Sequence, residues 1–178
     1  MKTKISFNLP TILTLSRIVV IPFFLWVTPT HPIWGAIIFS LASITDSLDG
    51  YLARRSGQVT DFGIIMDPIA DKFLVISALI LLVSLESLSV WLAVTVIVRE
   101  FSITALRAVA LSKNIVIKAE MGGKVKTVFQ IIGIICLILQ DYLYGIDLYL
   151  LGLIVFWISV VLAIVSGVQY AVRFWRES

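Results

Sequence analysis

The 178-residue chain has little of what a water-soluble enzyme relies on. It has one cysteine, Cys136, which excludes an internal disulfide; the run Ile134-Ile135-Cys136-Leu137 around it leads us to expect a packed thiol. It has one histidine, so no His-Glu-x-x-His zinc motif is possible. Charged residues make up 14%, where about 25% is usual. The excess is apolar: 60% of residues are hydrophobic and the mean hydropathy is +1.05. A soluble domain of about 150 residues buries only about 70% of its unfolded surface and could not hide so much apolar area. Long apolar stretches recur along the whole chain, which points to a polytopic membrane protein and excludes a soluble enzyme, a disordered chain and a disulfide scaffold.

The expected fold is all-α, a single transmembrane domain over residues 1–178. Spans are expected at about Leu9–Val27, Ile33–Leu52, Gly63–Val83, Leu88–Leu111, Gly123–Leu139 and Leu148–Val172, separated by breaker or polar clusters such as Thr28-Pro29-Thr30-His31-Pro32 and Ser112-Lys113-Asn114. Six spans take about 120 residues, leaving too few for a separate soluble domain. The basic start Met1-Lys2-Thr3-Lys4 is not followed by a small-residue cleavage site, so the first apolar run reads as a retained span. All 14 Lys and Arg fall in the N-terminal tail, the second and fourth connections, the C-terminal tail or inside spans. The other three connections hold only His31, Glu86, Asp141 and Asp147 among ionisable groups of this kind. The positive-inside rule then places both termini in the cytoplasm, as an even number of spans requires. The net charge of +3 is one-sided and suits anionic headgroups or anionic substrates at the inner leaflet; nucleic acid is not an expected partner. His31 falls on the opposite side, so no Ser-His-Asp arrangement is available.

The most informative stretch is acidic. Asp46 and Asp49 are spaced i, i+3 near the end of the second span; Asp67 and Asp71 are spaced i, i+4 at the start of the third. A short connection makes the two spans antiparallel neighbours, so four carboxylates can converge. One carboxylate at mid-membrane costs roughly 2.5–3.5 kcal/mol, hence about 10–14 for four if all lay deep. Arg54 offsets one charge. Hard divalent cations with oxygen ligands, Mg²⁺ or Mn²⁺, are the natural counterions for the rest. Taken singly, each aspartate could instead be a solvated charge at a span end. Gly50 and Gly63 remove side chains where a helix or ligand comes close to backbone. Pro68 belongs either to the first turn of the third span or to a bend in it.

Asp46-x2-Asp49-Gly50-x2-Ala53-Arg54-x8-Gly63-x3-Asp67-x3-Asp71 resembles the signature of the CDP-alcohol phosphatidyltransferase family at every fixed position. Three further stretches extend the resemblance over nearly the whole chain: Asn8-Leu-Pro10-Thr11-x2-Thr14-Leu-Ser-Arg17, Arg99-Glu100-x6-Arg107, and Gly123-Lys124-Val-Lys126-Thr127. The first recurs in cardiolipin-forming members. The pairing of the other two resembles the members that use sn-glycerol 3-phosphate as acceptor.

The resemblance implies an enzyme of a bacterial cytoplasmic (inner) membrane, with its active site at the cytoplasmic face. It would transfer the phosphatidyl group of CDP-diacylglycerol to glycerol 3-phosphate and release CMP, as a homodimer among membrane lipid. It implies two divalent cations on Asp46, Asp49, Asp67 and Asp71, and a general base at Asp71. Contacts to CDP-diacylglycerol would come from Gly50, Ala53, Arg54 and Gly63, with Asn8 and Thr14. The acceptor's phosphate needs cations, for which Arg107, Lys124 and Lys126 stand first, with Arg99 and Arg17 behind them. Arg99–Glu100 also admits a purely structural reading, an ion pair holding helices together. Lys113 and Lys118 read as topology-setting charges, Arg173 and Arg176 as headgroup contacts, and Lys72 as a snorkelling side chain. A divalent-cation transporter is the competing class, because acidic pairs in spans also mark ion pathways. Against it, the third span is nearly all apolar from Leu74 to Val83.

Overall fold

A computed structural model describes residues 19–56, 61–113, 121–140 and 146–177, with side chains described outside 46–56, 61–71, 121–124 and 177. The described residues form six helices joined by turns, with no strand: α1 (described over 19–27), α2 (Pro32–Ser56), α3 (Asp61–Ser84), α4 (Val90–Ser112), α5 (Met121–Ile138) and α6 (Leu148–Glu177). Each expected span contains described helix, and residues 9–18 of the first lie outside the described residues. Two compact units divide the chain, residues 1–77 and 78–178.

The helix boundaries follow from local chemistry. Pro32 opens α2, where its fixed φ and missing N–H cost nothing. The Thr28 hydroxyl donates to the Phe24 carbonyl at 2.6 Å and closes the end of α1, and Phe24 and Phe39 pair across this turn with ring centroids 5.7 Å apart. Asp147 caps α6: its Oδ1 accepts the Leu150 N–H at 2.9 Å. α3 ends in a Schellman turn, with Ser87 N–H donating to Leu82 O at 2.9 Å and Glu86 N–H to Val83 O at 3.1 Å. The left-handed position of that turn is filled by Glu86, at φ 58°.

Of the two places open to Pro68 the first turn is excluded: α3 begins at Asp61, so Pro68 lies about two turns in. One boundary differs from expectation. α6 continues past Val172 through Arg173 and Arg176 to Glu177, so these two arginines are helical rather than part of a tail. No glycine or proline follows Val172 to stop the helix, and Phe174 is buried there, with the Lys113 ammonium 5.4 Å from its ring centroid.

In the second unit α6 is the common partner of α4 and α5. On α5 the buried positions Lys126, Gln130, Ile134, Leu137 and Ile138 form one stripe at helical spacing. They face a stripe on α6 that includes Phe156, Ser159, Val160 and Ala163. A Cβ on Gly133 would lie 3.1 Å from the Phe156 backbone, and one on Gly152 would lie 3.0 Å from Leu137, so numbers fall on one helix as they rise on the other: α5 and α6 are antiparallel. On α4, Arg99 meets Ala163, Arg107 meets Tyr170 and Lys113 meets Phe174, so α4 runs parallel to α6.

At 30 residues α6 is about 45 Å long, more than the roughly 30 Å of a hydrocarbon core. It is the one helix among the described residues long and apolar enough to cross a membrane by that test. The apolar stretches Pro32–Thr45, Lys72–Ser84 and Val125–Ile138 are shorter. α4 has 23 residues, interrupted by Arg99, Glu100 and Arg107. Trp26, Trp34, Trp91 and Trp175 are exposed near helix ends, while Trp157 is exposed well inside α6.

Candidate functional site

The signature residues fall inside continuous helix. Asp46, Asp49, Gly50, Ala53 and Arg54 are in the C-terminal half of α2, and Gly63, Asp67 and Asp71 are in the N-terminal half of α3. The register that the carboxylate pairs need, three and four residues apart on a helix, is therefore present. Their side chains, that of Lys124 on α5, and all of Asn8, Thr14 and Arg17 lie outside the described residues. No metal-ligand cluster occurs among the described residues. The donor set of the signature itself, four carboxylates with no sulfur or imidazole among its fixed positions, fits a hard divalent cation.

Among the described residues, the cations of the second unit include Arg99, Arg107 and Lys126. Glu100 joins two of them: its Oε1 accepts Arg99 Nη1 at 2.8 Å and also holds the Lys126 ammonium, which α5 brings across. Lys126 is 5% exposed. Arg99 directs two more N–H groups at α6, with Nε donating to the Ala163 carbonyl at 2.9 Å and Nη2 to the Ser166 hydroxyl at 2.7 Å. Ser166 in turn donates to that same carbonyl at 3.1 Å. Arg99 lies roughly 14 Å from one end of α4 and 20 Å from the other, so this network sits in mid-helix.

Charges this far from a helix end persist only when paired, and one carboxylate between two cations meets that condition. One turn along α5 from Lys126, the buried Gln130 Nε2 finds no hydrogen-bond partner among the described residues.

The structure thus brings Arg99 and Lys126 together on one carboxylate oxygen. It places Arg107 elsewhere, exposed, with its guanidinium carbon 5.5 Å from the centroid of the Tyr170 ring. The structural reading of Arg99–Glu100 is present as a hydrogen-bonded ion pair, and it reaches further than expected, to α5 and α6. Sequence reasoning did not single out Ser166 or Tyr170. Their only trace was polarity in an apolar helix, Ser159, Ser166 and Tyr170 recurring at intervals of seven and four residues.

The model of the CDP-alcohol phosphatidyltransferase family matches residues 7–165, ending well into α6. The chain belongs to this family. A relative from Bacillus subtilis named CDP-diacylglycerol–glycerol-3-phosphate 3-phosphatidyltransferase is 37% identical over 96% of this chain and 96% of its own length. One of the same name from Escherichia coli K12 is 38% identical over 93% of each. A Mycobacterium tuberculosis protein named probable phosphatidylglycerophosphate synthase is 38% identical over 96% of this chain and 83% of itself.

Proposed function

We propose that this chain transfers the phosphatidyl group of CDP-diacylglycerol to sn-glycerol 3-phosphate, giving phosphatidylglycerophosphate and CMP. The observation that carries this reading is full-length similarity to relatives bearing that name, with the complete signature set in α2 and α3.

The chemistry is displacement at phosphorus. A hydroxyl oxygen of the acceptor forms a bond to the lipid-side phosphorus, the bridging P–O bond to CMP breaks, and the hydroxyl proton passes to a base. Asp71 is the carboxylate we assign to that proton. Asp46, Asp49, Asp67 and Asp71 would hold two Mg²⁺ or Mn²⁺ ions, which when bound would supply positive charge to the pyrophosphate and the departing CMP. Gly50, Ala53, Arg54 and Gly63, with Asn8 and Thr14, would receive CDP-diacylglycerol. Arg107, Lys124 and Lys126, backed by Arg17, would receive the acceptor's phosphate.

The same reading includes six spans in a bacterial inner membrane, both termini cytoplasmic, and a homodimer. Supporting the span arrangement are the alternating sense of α4, α5 and α6, the length of α6, and the distribution of Lys and Arg.

The test is CMP release by purified protein from CDP-diacylglycerol with a panel of acceptors, in the presence and absence of Mg²⁺ or Mn²⁺. Glycerol 3-phosphate should be the fastest acceptor, and release should stop on chelation. Faster turnover of phosphatidylglycerol, serine or inositol phosphate would reassign the acceptor, and metal uptake into proteoliposomes without nucleotide would favour a transporter. Asp71→Asn keeps the shape and removes the basicity, so it should lower kcat by about 10²–10⁴-fold; retained activity would overturn the base assignment.

A further inference from the structure

We infer that Arg99, Glu100 and Ser166 are positioning residues that act on the acceptor through Lys126, rather than ligands of the acceptor themselves. The inference rests on the reading that Lys126 receives the acceptor's phosphate.

Three of the five guanidinium N–H groups of Arg99 are committed within the protein, to the Ala163 carbonyl, the Ser166 hydroxyl and the Glu100 carboxylate. The fork is rigid and planar, so fixing two of its arms on α6 fixes the direction of the third. The guanidinium lies close against α6: a Cβ on Gly167 would be 3.6 Å from Arg99 Nε, an ordinary packing contact. Glu100, held by Arg99, presents Oε1 to the ammonium of Lys126.

The consequence for binding is preorganisation. A lysine carries a point charge on a four-carbon stem, and a free stem must be ordered each time a phosphate binds. Tying the ammonium to a carboxylate that is itself clamped to a third helix makes that ordering part of folding. The carboxylate also makes a buried ammonium tolerable before an anion arrives. The chain of fixation runs from α6 through Arg99 and Glu100 to Lys126 on α5, so a hydroxyl on α6 that need not touch substrate governs acceptor affinity.

The experiment is steady-state kinetics of the full chain in lipid–detergent micelles, varying acceptor and CDP-diacylglycerol separately. Ser166→Ala removes one arm's acceptor with little change in packing. It should raise KM for glycerol 3-phosphate roughly 2- to 10-fold, the cost of ordering one long side chain, while kcat and KM for CDP-diacylglycerol stay within about twofold on that same scale. Ser166→Thr keeps the hydroxyl and should restore the acceptor KM. Glu100→Gln should raise it further; if that variant does not fold, the Ser166 pair decides alone. An unchanged acceptor KM in Ser166→Ala, or a shift of both KM values together without rescue by Ser166→Thr, overturns the inference. If the wild-type chain prefers another phosphate-bearing acceptor, the acceptor proposed above fails and the same comparison, made on the preferred one, still decides the network. Turnover only with acceptors lacking a phosphate overturns both.

Discussion

Glu86 occupies the left-handed position of the Schellman turn that ends α3, where a Cβ is disfavoured by about 1–2 kcal/mol and glycine is the usual occupant. Its side chain is exposed. Glu86→Gly should therefore stabilise the protein by about 1 kcal/mol, seen as a rise of about 2–4 °C in the thermal midpoint in detergent. No rise would mean the carboxylate makes a compensating interaction at the surface. Glu100 differs between sequence and fold. As a letter in a motif it is one acid between two bases. In the folded chain it is the joint between α4 and α5, and its removal leaves the buried Lys126 ammonium facing the half-buried Arg99 guanidinium with no counter-charge between them.

Between elements, the α5–α6 seam depends on two small residues of unequal rigidity. Gly133 lies against the backbone and Cβ of Phe156, which cannot move aside, whereas two of the three atoms nearest Gly152 belong to the outer Leu137 side chain and only Cys136 Cβ is fixed. Gly133→Val should thus destabilise by about 3 kcal/mol, at the upper end for overpacking, and Gly152→Ala by about 1 kcal/mol as Leu137 shifts. The check is the denaturation midpoint of each variant. A larger loss at Gly152 than at Gly133 would contradict the packing described. The parallel pair α4 and α6 is held differently, by Arg99 on Ala163 and Ser166 and by two cation–aromatic contacts, Arg107 on Tyr170 and Lys113 on Phe174. Polar grip of this kind, worth about 0.5–2 kcal/mol for each cation–aromatic pair, fixes rotation and register where apolar packing alone would permit sliding.

For the molecule as a whole, the proposed orientation puts the turn at Glu86 outside the cell and the connection after Ser112 inside it. Cys136 is the only native thiol, on α5, so single cysteines can be introduced against a low background once it is replaced by serine. In intact cells a membrane-impermeant maleimide should label Glu86→Cys, and should label Lys113→Cys only after the membrane is opened. The reverse pattern would invert the topology and put the basic connections on the outer side.

The amino-acid order alone determined the class of fold and the chemical signature. Apolar run length is a local property, and a membrane converts it directly into helices, because every backbone N–H and C=O must find its partner within the segment. The spacing of Asp46, Asp49, Asp67 and Asp71 is equally local, since helical periodicity turns it into faces, and the signature was legible for that reason. What tertiary structure decided was which distant charges meet. Arg99 and Ser166 are 67 residues apart, and Glu100 and Lys126 are 26 apart. No period along the chain encodes those meetings, because they depend on α4 lying parallel to α6 and on α5 approaching at the height of Glu100. A cation read from sequence is only a cation; whether it is clamped by α6 as Arg99 is, laid on an aromatic ring as Arg107 is, or tied to a carboxylate as Lys126 is follows from the helix packing that brings its partner within reach.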